Sequence, residues 1–140
     1  MFNNYKLLKI CDFGSSRQAQ HTMTDQTGSL WYMAPEIRSS RNYTNKCDVY
    51  SFGIVLSEMI TRKMPYDGDQ EALFSGSGPK RLPEEPSELI SLLKSLWLNN
   101  PKLRPSMQDV ADQLGCLLTK YPKGNYKKSS LNIFFFHTNL

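Results

Sequence analysis

Residues 44–63 read "TNKCDVYSFGIVLSEMITRK", and the apolar side chains in this stretch keep to no single helical face. Thr44 or Asn45 is suited to cap a helix and Pro65 to end one, so the stretch is predicted to be helical from about 45 to 63. Within it Val49, Phe52, Ile54, Val55, Leu56, Met59 and Ile60 leave almost no polar side. A helix that is apolar nearly all round has to be buried on every side, so the rest of the chain must be arranged around this one segment.

Shorter elements supply the cover. Leu7, Leu8 and Ile10 flank Lys9 in a strand-like run closed by Asp12 and Gly14. Residues 15–30 are rich in Ser, Thr and Gln without an apolar period, which predicts a long surface loop. Pro35 is placed to open one helical turn within 31–40. Residues 66–86, full of Gly, Pro and charge, are the poorest candidate for regular structure, with at most one turn at 71–74. Ser87 is expected to cap a helix to about Leu98, with Leu89, Ile90, Leu92, Leu93, Leu96 and Trp97 recurring near 3.6 residues. Ser106 with Asp109 resembles a capping box opening a last helix, whose inner face is Val110, Leu114, Leu117 and Leu118. Tyr50 and Trp97 are read as core aromatics, and beyond Tyr121 residues 122–140 form a basic and aromatic tail. The architecture expected is mainly α, with one body over 1–121.

A chain of 140 residues is long enough to bury a real core, since roughly 68–70% of the unfolded surface is buried at this size. The net charge of +4 is modest, and the basic residues are spread along the chain apart from Lys120, Lys123, Lys127 and Lys128. That distribution argues against a dedicated nucleic-acid binder. Cys11, Cys47 and Cys116 are odd in number and far apart, so they read as reduced thiols rather than a disulfide or metal framework. No leader-like opening is evident and no apolar run approaches the roughly 20 residues of a spanning helix, which together predict a cytoplasmic protein with no membrane partner. His21 and His137 have no neighbours suggesting a triad or a metal site and are expected to be solvated.

Four motifs follow one another in order: Asp12-Phe13-Gly14, "GSLWYMAPE" from Gly28, "DVYSFGIVL" from Asp48, and "NPKLRPS" from Asn100. Asp-Phe-Gly alone is more often a strand end with a turn. All four at suitable spacing resemble the second half of a eukaryotic protein kinase domain, over about residues 7–120. Within the kinases, "LKICDFG", "NKCDVYSFGI", "EMITRKMPYD" and "LRPSM" are most similar to the mitogen-activated protein kinase kinase kinases of the TGF-β-activated kinase type.

The resemblance implies a helical C-terminal kinase lobe with a short strand before Asp12, and a role for each motif. Asp12 would coordinate the Mg2+ that bridges ATP phosphates, Phe13 would pack inward, and Gly14 would let the backbone turn. Residues 15–33 would be the activation loop, with Thr22 and Thr24 as phosphorylation candidates, although a surface loop carries many solvated hydroxyls. Ser29 would belong to the substrate floor. Glu36 and Arg104 would form a buried ion pair tying this loop to the last helices. Asp48 would brace a catalytic loop by accepting backbone N–H groups, or be a plain first-turn acid favoured by the helix dipole.

Some of the family's parts have no counterpart in the sequence. The glycine-rich loop, the phosphate lysine, its glutamate partner and the catalytic aspartate all precede Asp-Phe-Gly in the family. Only eleven residues precede Asp12, and none is acidic. Residues 66–86 are also short for the helix and loop the family carries there, and Asn100-Pro101 stands where Asp-Pro is usual. A polypeptide of this extent is therefore expected to bind ATP and Mg2+ weakly or not at all and to phosphorylate nothing alone. Without the family's catalytic-loop helix, the helix at 45–63 is expected to leave an apolar patch, which the "IFFF" of residues 133–136 is placed to cover. The protein is read as a partial Ser/Thr kinase domain whose partners are an upstream kinase, an adaptor or a substrate. The competing possibilities are a non-catalytic, pseudokinase-like module that competes for such partners, and an incomplete product with no stable function.

Overall fold

The computed structural model describes residues 10–11, 13–15, 30–39, 43–68, 73–74, 78–79, 82 and 86–121. Among them are α1 (Pro35–Ser39), α2 (Lys46–Thr61), α3 (Ser87–Leu96) and α4 (Met107–Lys120), with single 3-10 turns at Phe13–Ser15, Leu30–Tyr32, Pro65–Gly68 and Pro101–Leu103. No strand occurs among the described residues. Of the strand-like run only Ile10 is described, off any regular element and 86% exposed.

The central helix forms where the apolar run lies. Its entry uses Thr44, whose Oγ1 accepts the Lys46 N–H at 3.3 Å, while Asn45 occupies the cap position without a side-chain bond. It ends where Arg62 turns left-handed at φ 57° and donates its N–H to Glu58 O at 2.8 Å. Val49, Tyr50, Ile54, Leu56 and Ile60 are buried, together with Cys47, Gly53 and Ser57. Burial on every side is not reached. Positions 48, 52, 55 and 59 share one side of α2, and there Asp48 is exposed, Val55 is 40% exposed, and Phe52 and Met59 are half-buried. The described elements that pack most against α2 are α3, the Leu30–Tyr32 turn, the Pro65 turn and the Pro101 turn.

Helix α3 begins one residue earlier than a Ser87 cap implies. Pro86 takes the cap position in extended conformation and Ser87 is the first helical residue, its hydroxyl donating to Glu88 Oε2 at 3.3 Å. Leu89, Leu92, Leu93 and Leu96 form its buried face, and Trp97, already outside the helix, is 5% exposed. Two glycines let other chain segments come close. A Cβ on Gly53 would lie 2.7 Å from Leu96 Cβ, so α2 and α3 approach through the missing side chain. Gly78, at φ +72°, lies against the Trp97 indole, where a Cβ would meet Nε1 at 2.3 Å.

Helix α4 opens with the capping box expected from Ser106 and Asp109: Ser106 Oγ accepts the Asp109 N–H at 3.1 Å, and Asp109 Oδ2 accepts the Ser106 N–H at 2.8 Å. The Ser106 hydroxyl, donating to Asp109 Oδ2 at 2.6 Å, and after it the Ser106 N–H hold the Asp109 carboxyl below its usual range. Val110 is buried, and Leu114 and Leu117 pack on the core. At the far end Lys120 Nζ and Tyr121 Oη both bond the Glu88 carboxylate, which lowers its pKa to about 2 and pins the end of α4 to the first turn of α3. The tail at 122–140 and the "IFFF" within it lie outside the described residues.

The two glycines at 53 and 115 should respond oppositely to a methyl group. Gly53→Ala forces α2 and α3 apart and should cost about 1–3 kcal/mol. Gly115→Ala, in a helix with nothing within 4 Å of the new Cβ, should gain about 0.5–1 kcal/mol. Thermal midpoints of the two variants moving in the same direction would contradict this packing.

Candidate functional site

The directional bonds of the molecule converge on Arg104. It follows the Pro101–Leu103 turn, which is closed by Asn100 Oδ1 accepting the Lys102 N–H at 3.1 Å and by the Arg104 N–H reaching Pro101 O at 3.2 Å. The side chain is fully buried. Its Nε donates to Leu98 O at 2.8 Å and its Nη1 to Lys46 O at 2.9 Å. Nη1 and Nη2 also grip Glu36 Oε1 and Oε2 at 2.5 and 2.9 Å, a two-pronged ion pair. The guanidinium carbon lies 4.9 Å from the Tyr50 ring centroid. Lys46 returns the contact, its Nζ donating to Arg104 O at 2.6 Å.

Glu36 is the second residue of α1, so this pair fixes the end of the segment from Leu30 to Ser39 against the α2 entry. Two further ties fix its start. Tyr32 Oη donates to Glu58 Oε2 at 2.7 Å, and Ser51 Oγ donates to Tyr32 O at 2.8 Å, with Cys47 O also 3.2 Å away. Between the ties Met33 and Ala34 are buried. The segment "LWYMAPE" is thus a clamped strip on one flank of α2.

Burial and these bonds also govern the titration of the site. The Tyr32 hydroxyl is pushed up to about 12, first by donating to Glu58, then by burial and the Glu58 charge. The Cys47 thiol is also pushed up to about 12, chiefly by burial and then by the Asp48 and Glu36 charges, which leaves it protonated and unreactive near neutrality. Tyr50 and Tyr66 share a buried hydroxyl bond of 2.8 Å, and burial raises both.

The other residues singled out from the sequence are not gathered here. Asp12, Thr22, Thr24 and Ser29 lie outside the described residues, as do His21 and His137. Phe13 does not pack inward: it is 66% exposed in the Phe13–Ser15 turn, with Gly14 exposed beside it. A ring is buried only where a packed surface reaches it, and the described core extends from Met33 onward. Asp48 is exposed in the first turn of α2 and accepts the Cys47 thiol at 3.8 Å. Among the described residues no group of three or more His, Cys, Asp or Glu side chains could hold a metal ion. No helix among them is long and apolar enough to cross a membrane.

Sequence reasoning missed Tyr32, Ser51, Glu58 and Lys46. Glu58 gave one signal, as an acid deep in an otherwise apolar helix, but its partner is 26 residues away. No spacing rule connects them.

One family model, the protein kinase domain, matches residues 1–114. The chain belongs to the protein kinase domain family. It is 38% identical over 123 residues to mitogen-activated protein kinase kinase kinase 7 from Homo sapiens, an alignment covering 83% of this chain and 20% of that protein. A putative mitogen-activated protein kinase kinase kinase 7-like protein from Drosophila melanogaster is 39% identical over 127 residues, covering 82% of this chain and 32% of the relative. A probable LIM domain-containing serine/threonine-protein kinase from Dictyostelium discoideum is 40% identical over 114 residues, covering 76% and 12%. The chain therefore spans about a fifth of the length of the kinase kinase kinase 7 relatives it matches. The chain is similar to mitogen-activated protein kinase kinase kinases over part of their length. The family implies ATP and Mg2+ in the full-length enzyme and protein partners or substrates.

Removing one side of the clamp leaves a buried charge without its counter-ion. Glu36→Ala should lower stability by about 3–5 kcal/mol, and Glu36→Gln, which keeps one acceptor, by less. Urea midpoints would show it, and near-native values for Glu36→Ala would refute the buried role.

The raised hydroxyl makes a pH prediction with a fixed sign. Tyr32 contributes stability that is complete below its ordinary value of 10.0 and is lost as pH rises through about 12. Cys47 adds a loss of the same sign beginning near 9.0. Stability should fall from pH 9 to 12, and Tyr32→Phe should fall less steeply between 10 and 12; equal slopes for the two proteins would remove the Tyr32 contribution.

Proposed function

We propose that residues 1–140 are the part of a serine/threonine kinase domain that runs from the metal-holding turn through the activation segment to the last helix. The complete domain would transfer phosphate from ATP to protein Ser or Thr in a cytoplasmic stress or immune signalling cascade. Residues 1–121 would form the lobe and 122–140 a tail. Asp12, with the Phe13-Gly14 turn behind it, would hold Mg2+, and the ion when bound offsets charge on the phosphates. Thr22 and Thr24 would accept phosphate, each gaining about −1.5 to −2 charges able to order the loop against basic side chains. Ser29 and the clamped strip after it would form the floor on which a protein substrate lies. Asp48, its carboxylate open to solvent, would accept backbone N–H groups of a catalytic loop.

The observation that carries this is the clamp on residues 30–39. Phosphoryl transfer is accelerated by positioning and electrostatics, and a strip tied by Glu36, Tyr32 and Ser51 is built for positioning. The same clamp also suits a non-catalytic module that binds an upstream kinase, an adaptor or a substrate, because its bonds run between protein groups and do not involve Asp12.

Transfer of labelled phosphate from ATP–Mg2+ to a general protein substrate tests the catalytic role. Purified 1–140 should bind ATP–Mg2+ weakly or not at all and transfer nothing. Fused behind a segment supplying a glycine-rich loop, its lysine and a catalytic aspartate, the chain should transfer phosphate, and Asp12→Asn should abolish it. Transfer by 1–140 alone would overturn the proposal, and a folded fusion that transfers nothing would leave the interaction module.

A further inference from the structure

Arg38, on α1 two residues beyond the clamp, carries a charge that no carboxylate among the described residues neutralises. Its Nη1 and Nη2 both point at Leu73 O, at the long distances of 3.4 and 3.3 Å. The guanidinium carbon stands 5.2 Å from the centroid of the Phe74 ring. Leu73 is fully buried while Phe74 next to it is 64% exposed, so the main chain at Leu73 anchors a ring that faces solvent. Arg38 is itself half-buried.

This arrangement is unusual for a surface arginine. A free guanidinium normally keeps its hydration or finds an acid. Here it is partly desolvated, set over an aromatic ring and given only one weak neutral acceptor, so most of its five N–H donors are unclaimed among the described residues. Arginine and aromatic side chains are the groups most enriched at protein contact hot spots, and a pre-oriented pair loses little side-chain entropy on binding.

We propose that Arg38 and Phe74 form an anchor for an acidic protein segment, in which an Asp or Glu carboxylate takes the open guanidinium edge and a neighbouring apolar side chain covers the Phe74 ring. A phosphate group is the poorer fit, since a single guanidinium supplies half the charge of a dianion and no second cation joins it among the described contacts. Nucleic acid is poorer still, because it needs a line of cations rather than one. The anchor holds whether or not the chain takes part in phosphoryl transfer.

Fluorescence anisotropy with purified 1–140 and a labelled peptide of alternating Glu and Leu tests the anchor. At low salt the peptide should bind, and its affinity should fall as salt is raised. Arg38→Gln should weaken it about tenfold, the scale of one charge-assisted pair. Arg38→Lys, which keeps charge without the fork, should fall between. Phe74→Ala removes an exposed ring and so should fold normally, by circular dichroism, yet bind more weakly; with Arg38→Lys it decides the matter if Arg38→Gln unfolds. A peptide with Gln for Glu should bind less than the acidic one. No binding, equal binding of the two peptides, wild-type affinity in both Arg38→Lys and Phe74→Ala, or tighter binding of a phosphorylated peptide or single-stranded RNA would each overturn the proposal.

Discussion

A fully buried guanidinium cannot be left partly satisfied, and that requirement at Arg104 fixes the described fold. Its four acceptors come from three places: the carbonyl after α3, the carbonyl at the start of α2, and both oxygens of Glu36 on α1. Glu36 lies 68 residues away in sequence. Displacing any one of these elements strands a donor in the interior, at about 1–3 kcal/mol for each unsatisfied group. The pair need not add net stability over an apolar substitute of equal volume, because desolvation offsets most of the attraction. Its effect is to make one register of α1, α2 and the Pro101 turn acceptable and its neighbours unacceptable.

Hydrophobic burial does the complementary work and is indifferent to direction. Helix α2 gathers α3 through the gap at Gly53 and the Pro65 turn through Tyr66, but apolar contact alone would tolerate sliding. Tyr50 couples the two kinds of constraint. Its ring lies under Arg104 and its hydroxyl meets Tyr66 in the core, so the directional clasp and the non-directional core share one side chain.

How much of this was legible in the sequence depended on the range of the interaction. Helices α3 and α4 follow from local periodicity, α2 from its end signals around an apolar run, and the Ser106–Asp109 box from a spacing of three. The Ser87 cap failed because Pro86, extended and just before the helix, already filled that position. The prediction for α2 was too strong: composition shows that a helix has no polar face but not from which directions its neighbours arrive, and Val55 stays 40% exposed. Phe13 failed for a related reason, since an aromatic residue in a motif is buried only if packed structure reaches it. The Glu36–Arg104 pair was readable only through the resemblance of whole motifs. Tyr32 with Glu58, and Ser51 with the Tyr32 carbonyl, were not readable at all, because a contact between a turn and the middle of a helix leaves no periodic trace.

The chemistry and the architecture of this chain are separable along its length. Asp12, Thr22 and Thr24, the residues with phosphate chemistry in prospect, all precede Leu30, whereas every group of the clamp lies between Tyr32 and Arg104. The bonds of the clamp run between protein groups. A surface held that way can receive a protein segment whether or not phosphate is transferred beside it. Arg38 sits on the same short helix as Glu36, and the ion pair that orients the strip therefore also sets the direction in which the open guanidinium faces.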